Sequence, residues 1–271
     1  MRKSIEDGQL FNLKPPKSFS IIGKNSNKIK SSLTKLGFKF KKSNPDFVVS
    51  FGGDGTLLAS ERIYPSIPKI CVRHDSICFK CSKNGKVLTH PVKGRESLFY
   101  CSNCFEKFVA QKLFNMPFMK VKSYIKVQAS AFNSKGIQIG KSLLALNEIN
   151  IMHQKPQQAL RGQIILFDNK KPISFVSDGV LIASAFGSSG YFQSCTRKKF
   201  NKGLAVALVN PVRLWKPKIY SSIKENQKIK VIVNRRHGLL YADNSEEIIK
   251  LDVGDFVLSS RSKECAYFIE I

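Results

Sequence analysis

No run of eighteen or more uncharged apolar residues occurs in the 271-residue chain, so the sequence offers no membrane-spanning helix. The N-terminal string Met1-Arg-Lys-Ser-Ile-Glu-Asp-Gly has no apolar core behind its basic residues, which argues against a secretory signal. Its two acidic residues argue against a transit peptide, and the cytoplasm is the expected location. Acidic residues are scarce: 19 Asp and Glu stand against 45 Lys and Arg, a net charge of +26. Such an excess suits polyanions, whether nucleic acid, acidic membrane surface or nucleotide phosphates. The basic residues are scattered from Lys3 to Lys263 instead of forming an arm, so they read first as a solvated surface and select no function. Internal repeats and low-complexity linkers are also absent. With 42% hydrophobic residues, the chain can build a sizeable core in one large or two moderate domains.

The first hundred residues alternate short apolar runs with helical spacing. Ser18-Phe-Ser-Ile-Ile-Gly23 reads as a strand, and Ile29, Leu33 and Leu36 place a helix over residues 25–36. Asp46-Phe-Val-Val-Ser50 is a continuous apolar run of the buried parallel kind and leads into a glycine-rich turn. A short helix over residues 56–64 and a strand over 69–73 follow, giving a doubly wound α/β rhythm. That rhythm breaks near His74. Residues 74–105 carry two cysteine pairs and several turn formers, and read as an inserted module outside the sheet, closed by a helix over 105–114. From about Val121 the texture becomes β-rich, with strands expected over 122–129, 143–152, 163–167, 173–176, 180–185, 204–208 and 229–233. The expected architecture is therefore α/β plus all-β. An N-terminal doubly wound α/β domain over 1–121 carries a zinc-ribbon-like insertion at 74–105. A β-rich, sandwich-like domain spans 122–271, the last ~20 residues returning to the N-terminal domain.

The turn Phe51-Gly-Gly-Asp-Gly-Thr56 carries chemistry. Glycines at the carboxyl end of a strand let backbone N–H groups approach phosphate oxygens, and the following helix N-terminus favours an anion. The single carboxylate inside it, Asp54, suits either accepting a proton from an attacking hydroxyl or holding Mg²⁺. Cys78-Phe-Lys-Cys81 and Cys101-Ser-Asn-Cys104, nineteen residues apart, have the two-knuckle spacing of a four-thiolate structural zinc site. All four ligands would come from the protein, which leaves no open position for catalysis. An iron–sulfur cluster uses the same residue type, though paired knuckles favour Zn²⁺. Lys80, Lys83, Lys86, Lys93 and Arg95 on the same module leave a nucleic-acid contact open.

The glycine string resembles the signature of the superfamily that holds NAD kinases, diacylglycerol and sphingosine kinases, and phosphofructokinases. Two later blocks narrow the resemblance to the NAD kinase family. Ala145-Leu-Asn-Glu-Ile149 is similar to its Asn-Glu motif, and Ser177-Asp-Gly-Val-Leu-Ile-Ala-Ser-Ala-Phe-Gly-Ser-Ser-Gly-Tyr191 to its Asp-Gly segment and second glycine turn. The resemblance implies that Asp54 is the general base. It further implies that Gly52, Gly53, Gly55, Thr56, Asn147, Glu148, Asp178, Gly187, Ser188, Ser189 and Tyr191 bind nucleotide, Asn147 and Glu148 through ribose hydroxyls. The implied reaction moves the γ-phosphate of Mg-ATP to the adenosine-ribose 2′-hydroxyl of NAD, in a homo-oligomer. Two departures stand out. After Arg73 the family's Asn-x-Gly-x-x-Gly-Phe-Leu segment is replaced by His74-Asp-Ser-Ile-Cys78, and Phe186, Ser189 and Gly190 replace the family's usual Thr, Thr and Ala. A lipid kinase shares the glycine string, but no stretch here suits an acyl chain. A non-catalytic nucleotide or nucleic-acid binder that uses the zinc module is the remaining alternative.

Overall fold

The computed structural model describes residues 6–75, 98–166, 169–212 and 227–271. It divides into two compact units, Met1–Tyr124 with Ala266–Ile271, and Ile125–Cys265. The boundaries fall inside two fourteen-residue strands.

The first unit runs β1 (Leu10–Leu13), β2 (Ser18–Ile22), α1 (Asn27–Lys35), β3 (Lys39–Phe40), β4 (Phe47–Phe51), α2 (Asp54–Ile63), β5 (Lys69–Arg73) and β6 (Phe99–Cys101). Helix α3 (Ser102–Cys104) continues through a π-helical turn, Phe105–Val109, into α4 (Ala110–Phe114). Strands β3, β2, β4, β5 and β6 lie side by side in that order, all parallel. The chain leaves β2 toward β3 on one side and then returns to β4 on the other, so the strand order reverses between β2 and β4. That reversal is a topological switch point, the place where open α/β sheets leave a crevice at the strands' carboxyl ends. Every residue of β4 is buried, as its unbroken apolar run requires. Phe19, Ile29, Leu33, Phe47, Ile70 and Leu113 pack in one cluster with the chain's penultimate segment at Ile269. The expectation that residues 74–105 leave the sheet fails at their end, because Phe99, Tyr100 and Cys101 pair with Cys71, Val72 and Arg73. Most of the expected insertion, with Cys78 and Cys81, lies outside the described residues.

The second unit is built mainly of antiparallel strand pairs. Its strands are β7 (Met119–Phe132, entering from the first unit), β8 (Gln138–Ala145), β9 (Glu148–His153), β10 (Leu160–Leu166), β11 (Asn169–Ser177) and β12 (Gly179–Ser184). After the short helix α5 (Tyr191–Thr196) come β13 (Leu204–Val209), β14 (Ile229–Arg235), β15 (Gly238–Ala242), β16 (Ile249–Leu251) and β17 (Phe256–Ile269). One sheet has the order β13-β12-β9-β15-β16, and β11-β10-β14-β17 belong to a second with β7 and β8. Ile149, Ile151, Val180 and Ile182 of the first sheet meet Val127, Ile164, Val231 and Val257 of the second in a single core. The opposite face of the first sheet carries Leu181, Ala183, Ala205 and Ala207, covered by Phe192 of α5. Residues 143–152, expected as one strand, are two: β8 ends at Ala145 and β9 starts at Glu148.

Candidate functional site

The glycine turn sits where β4 runs out at the switch point. Gly52 takes φ +156°, and a Cβ there would collide with Oγ1 of Thr56, so the tight exit into α2 needs glycine. The Gly52 N–H donates to the Val72 carbonyl at 2.8 Å, which ties the turn to β5 and removes that amide from the donors open to a phosphate. Gly53 is the N-cap of α2 and has open space around it. Asp54 is the first residue of the helix, where a carboxylate is favoured by the positive end of the helix dipole. It is half exposed, with Nη2 of Arg73 3.9 Å from its Oδ1. The Phe51 and His74 rings are 4.1 Å apart beside the turn, and the Arg73 guanidinium lies 4.4 Å over the ring of Phe99.

In the second unit, Asn147 and Glu148 occupy the break between β8 and β9, and both are buried. The break is made by Asp243. Its carboxylate accepts from the N–H groups of Leu146 (2.8 Å), Asn147 (2.7 Å) and Glu148 (3.1 Å), and its own N–H donates to the Glu148 carbonyl at 2.9 Å. Asp243 adopts φ +50°, a left-handed conformation that Asp tolerates better than most residues. Ser184 closes the other side. Its hydroxyl donates to the Leu146 carbonyl and accepts from the Gly187 N–H at 3.0 Å, while its N–H reaches the Asn147 carbonyl at 2.8 Å. Gly187 packs so tightly that a Cβ would collide with the Asn147 carbonyl. Gly187 and Ser188 are buried; the Ser188 hydroxyl donates to the Phe200 carbonyl at 2.8 Å. Phe186, the bulky departure in this turn, is buried as well.

Asp178 does not join Asn147 and Glu148. Gly179 pairs with Met152 and Ala183 with Glu148, so Asp178 stands at the far end of the β9–β12 pair, roughly 17 Å away at ~3.4 Å per residue. There it accepts from Nδ2 of Asn210 at 2.9 Å and lies 3.8 Å from Nδ1 of His153. A cavity of about 620 Å³ adjoins this end, lined by Tyr191, Ser194, Cys195, Arg197, Asn210 and neighbours. Its size suits a nucleotide-sized ligand. Burial pushes the Tyr191 hydroxyl pKa up, reinforced by Cys195, Tyr241, Asp178 and Glu148. Burial and then Glu148 raise Tyr241 and Cys195 too, with Arg197 opposing at Cys195. The Glu148 carboxylate is thus felt at Tyr191 and Cys195, which line the cavity, and at Tyr241. The candidate residues of this unit lie at both ends of the β9–β12 pair.

Among the cysteines, Cys101 is the N-cap of α3 and its Sγ accepts from the Cys104 N–H at 3.3 Å, so the Cys-Ser-Asn-Cys turn is formed. Among the described residues, no group of three or more His, Cys, Asp or Glu is placed to hold a metal ion. No described helix is long and apolar enough to cross a membrane. Sequence reasoning singled out none of Arg73, Ser184, Asn210 and Asp243 as site residues, though they contact the candidate residues. Each acts through a partner distant in sequence, and no local pattern announces it.

Comparison with known proteins places this geometry. No family model matches the chain. NAD kinase of Saccharolobus islandicus (strain M.14.25 / Kamchatka #1) is 29% identical over 189 residues, which cover 68% of this chain and 63% of that protein. NAD kinase of Sulfurisphaera tokodaii is 27% identical over 187 residues, with the same coverage. The chain thus spans less than two thirds of the length of these curated relatives. Among solved structures, an NAD kinase from Archaeoglobus fulgidus in complex with ATP aligns with TM-score 0.67 at 20% identity, over 93% of both chains. Yeast NADH kinase complexed with NADH aligns with TM-score 0.73 at 14% identity, over 99% of this chain and 89% of that one. The chain has the fold of the NAD and NADH kinases.

Proposed function

We propose that the protein is an NAD kinase, which transfers the γ-phosphate of ATP to the adenosine-ribose 2′-hydroxyl of NAD and yields NADP and ADP. The observation that carries this reading is the placing of Asp54, the lone carboxylate of the glycine turn, at the switch point of an NAD-kinase fold. The buried Asn147–Glu148 turn, with Asp243 behind it, supports the assignment of the acceptor. Asn147 and Glu148 hold the ribose hydroxyls. The carboxylate of Asp54 takes the proton of the 2′-hydroxyl, whose oxygen forms a bond to the γ-phosphorus as the bond to the β,γ-bridging oxygen breaks. ADP leaves with that electron pair, and the proton passes from Asp54 to solvent. Positioning and electrostatic stabilisation supply most of the barrier reduction in phosphoryl transfer. A single hard carboxylate beside the phosphates fits Mg²⁺, which is typically held by one or two carboxylates plus substrate phosphates; Asp54 would be its protein ligand, and the ion would neutralise phosphate charge.

The proposal includes a structural Zn²⁺ held by Cys78, Cys81, Cys101 and Cys104. It is supported by the formed Cys-Ser-Asn-Cys turn, in which the Cys104 N–H donates to Cys101 Sγ as in a two-residue metal knuckle. Metal analysis of purified protein tests it; one zinc per chain, lost in C101S, is the expected result.

The kinase reading is tested by incubating purified protein with NAD and a panel of phosphoryl donors and measuring NADP enzymatically. NADP formation with Mg-ATP is expected. No NADP with any donor, or phosphorylation of diacylglycerol in its place, would sink the reading.

A further inference from the structure

Arg73 is the last residue of β5 and lies beside the glycine turn, since the residue before it, Val72, accepts the Gly52 N–H. Its guanidinium rests on the Phe99 ring at 4.4 Å. Stacking of that kind holds the cation by its face and leaves the N–H groups around its edge for other partners. Those edge groups are underused. Nη2 is 3.9 Å from Asp54 Oδ1, beyond the 2.7–2.9 Å or so of a charge-assisted hydrogen bond. Nε is buried and has no hydrogen-bond partner among the described residues. The Nε–H and Nη2–H groups lie on one edge of the guanidinium plane and form a fork that takes two oxygens of one phosphate. A stacked, one-third-exposed arginine with a buried Nε that no described residue answers and an Nη2 held only loosely, beside a glycine-rich helix start, has the chemistry of a polyphosphate clamp. A loose pair with a half-exposed aspartate would not by itself require this placement.

We infer that Arg73 binds the phosphates of the donor nucleotide, with Asp54 as its loose partner only until the nucleotide arrives. The inference rests on the kinase reading in placing a phosphoryl donor at this turn. It deepens that reading by naming a phosphate-binding residue at the point where the sequence departs from its relatives' glycine segment. Transfer of the guanidinium from Asp54 to phosphate removes one cation from the carboxylate that faces the acceptor hydroxyl. It also offsets the repulsion that Asp54 alone would impose on a triphosphate.

The test compares the affinities of wild type, R73Q and R73K for Mg-ATP and for adenosine by calorimetry on the full chain, with melting temperatures recorded alongside. In R73Q, Mg-ATP is expected to bind about 10- to 100-fold more weakly, the effect of removing hydrogen bonds to a charged group, while adenosine binding is unchanged. R73K keeps the charge without the fork and should fall between. Unchanged Mg-ATP affinity in R73Q overturns the inference. So does an equal loss for ATP and adenosine, which would mark a packing role over Phe99. If R73Q does not fold, R73K decides by the same criterion: weakened ATP with intact adenosine supports the clamp, and parallel affinities overturn it. The two readings fail separately. Wild type that binds Mg-ATP through Arg73 but makes no NADP defeats the kinase reading alone. NADP formation with full ATP affinity in R73Q defeats the Arg73 assignment alone.

Discussion

The glycine turn of the first unit and the Asn147–Glu148 turn of the second are built by opposite means. The first is local: β4, two glycines and a helix start lie within a few residues of one another, and Asp54 projects half exposed from a backbone frame. The second is assembled at long range. Asp243 and Ser184 bind its amides and carbonyls from nearly a hundred and nearly forty residues away, and the residues they hold are buried. A side chain presented from a local frame can be altered without disturbing what presents it. A buried turn whose amides and carbonyls are held by distant side chains cannot, because each lost bond leaves a desolvated polar group behind.

This contrast predicts that changes in the first turn act on chemistry alone, and that changes in the second act on stability and substrate affinity together. The largest effect is expected for Asp54→Asn. Turnover should fall by about 10²–10⁴, the usual range for loss of a general base, with melting temperature and NAD affinity unchanged. Full activity would remove Asp54 from the base role, and a large loss of stability would break the comparison. Asp243→Ala comes next. It strands three buried N–H groups and should cost about 2–3 kcal/mol of unfolding free energy in urea titrations, with a raised KM for NAD. Asp243→Asn, which keeps one acceptor and tolerates the left-handed backbone, should lose less. If the two variants behave alike, the paired oxygens are not what holds the turn. Gly187→Ala follows, at about 1–3 kcal/mol, because the added methyl group must displace the Asn147 carbonyl or the turn itself.

The same contrast explains what could be read from the chain. The strands β2, β4 and β5 and helix α1 were legible because apolar periodicity is a local property, and the glycine string followed directly on a buried run. Helix α2 begins two residues earlier than its apolar pattern suggested, since Asp54 and Gly55 fit a first helical turn. The break between β8 and β9 was not legible. Apolar residues continue through Leu143, Leu144, Ala145, Leu146, Ile149 and Ile151, and what interrupts the strand is a carboxylate at position 243. Strand β17 escaped notice because its middle, Ser-Ser-Arg-Ser-Lys-Glu-Cys, is polar. The resemblance named Asp178 as nucleotide-binding without saying where it lies; strand register sets it at the end of the β9–β12 pair away from Glu148.

The smallest effect, and the one that bears most directly on long-range assembly, is expected for Ser184→Ala. Ser184 lies at the end of β12, and its backbone pairing with Leu204 of β13 does not involve the hydroxyl. Removing Oγ therefore leaves the sheet intact and deletes one link: the Leu146 carbonyl loses a donor and the Gly187 N–H loses an acceptor. Both groups are buried, but each sits in a segment that other bonds still hold, so the expected cost is about 1 kcal/mol, or about 2–4 °C in melting temperature. If the Ser184 link positions the substrate-binding turn, KM for NAD should rise while KM for ATP stays fixed, and Ser184→Thr should restore part of the loss. A drop in melting temperature with both KM values unchanged would mean that the network around Leu146 and Gly187 serves the fold and that Asp243 alone sets the turn.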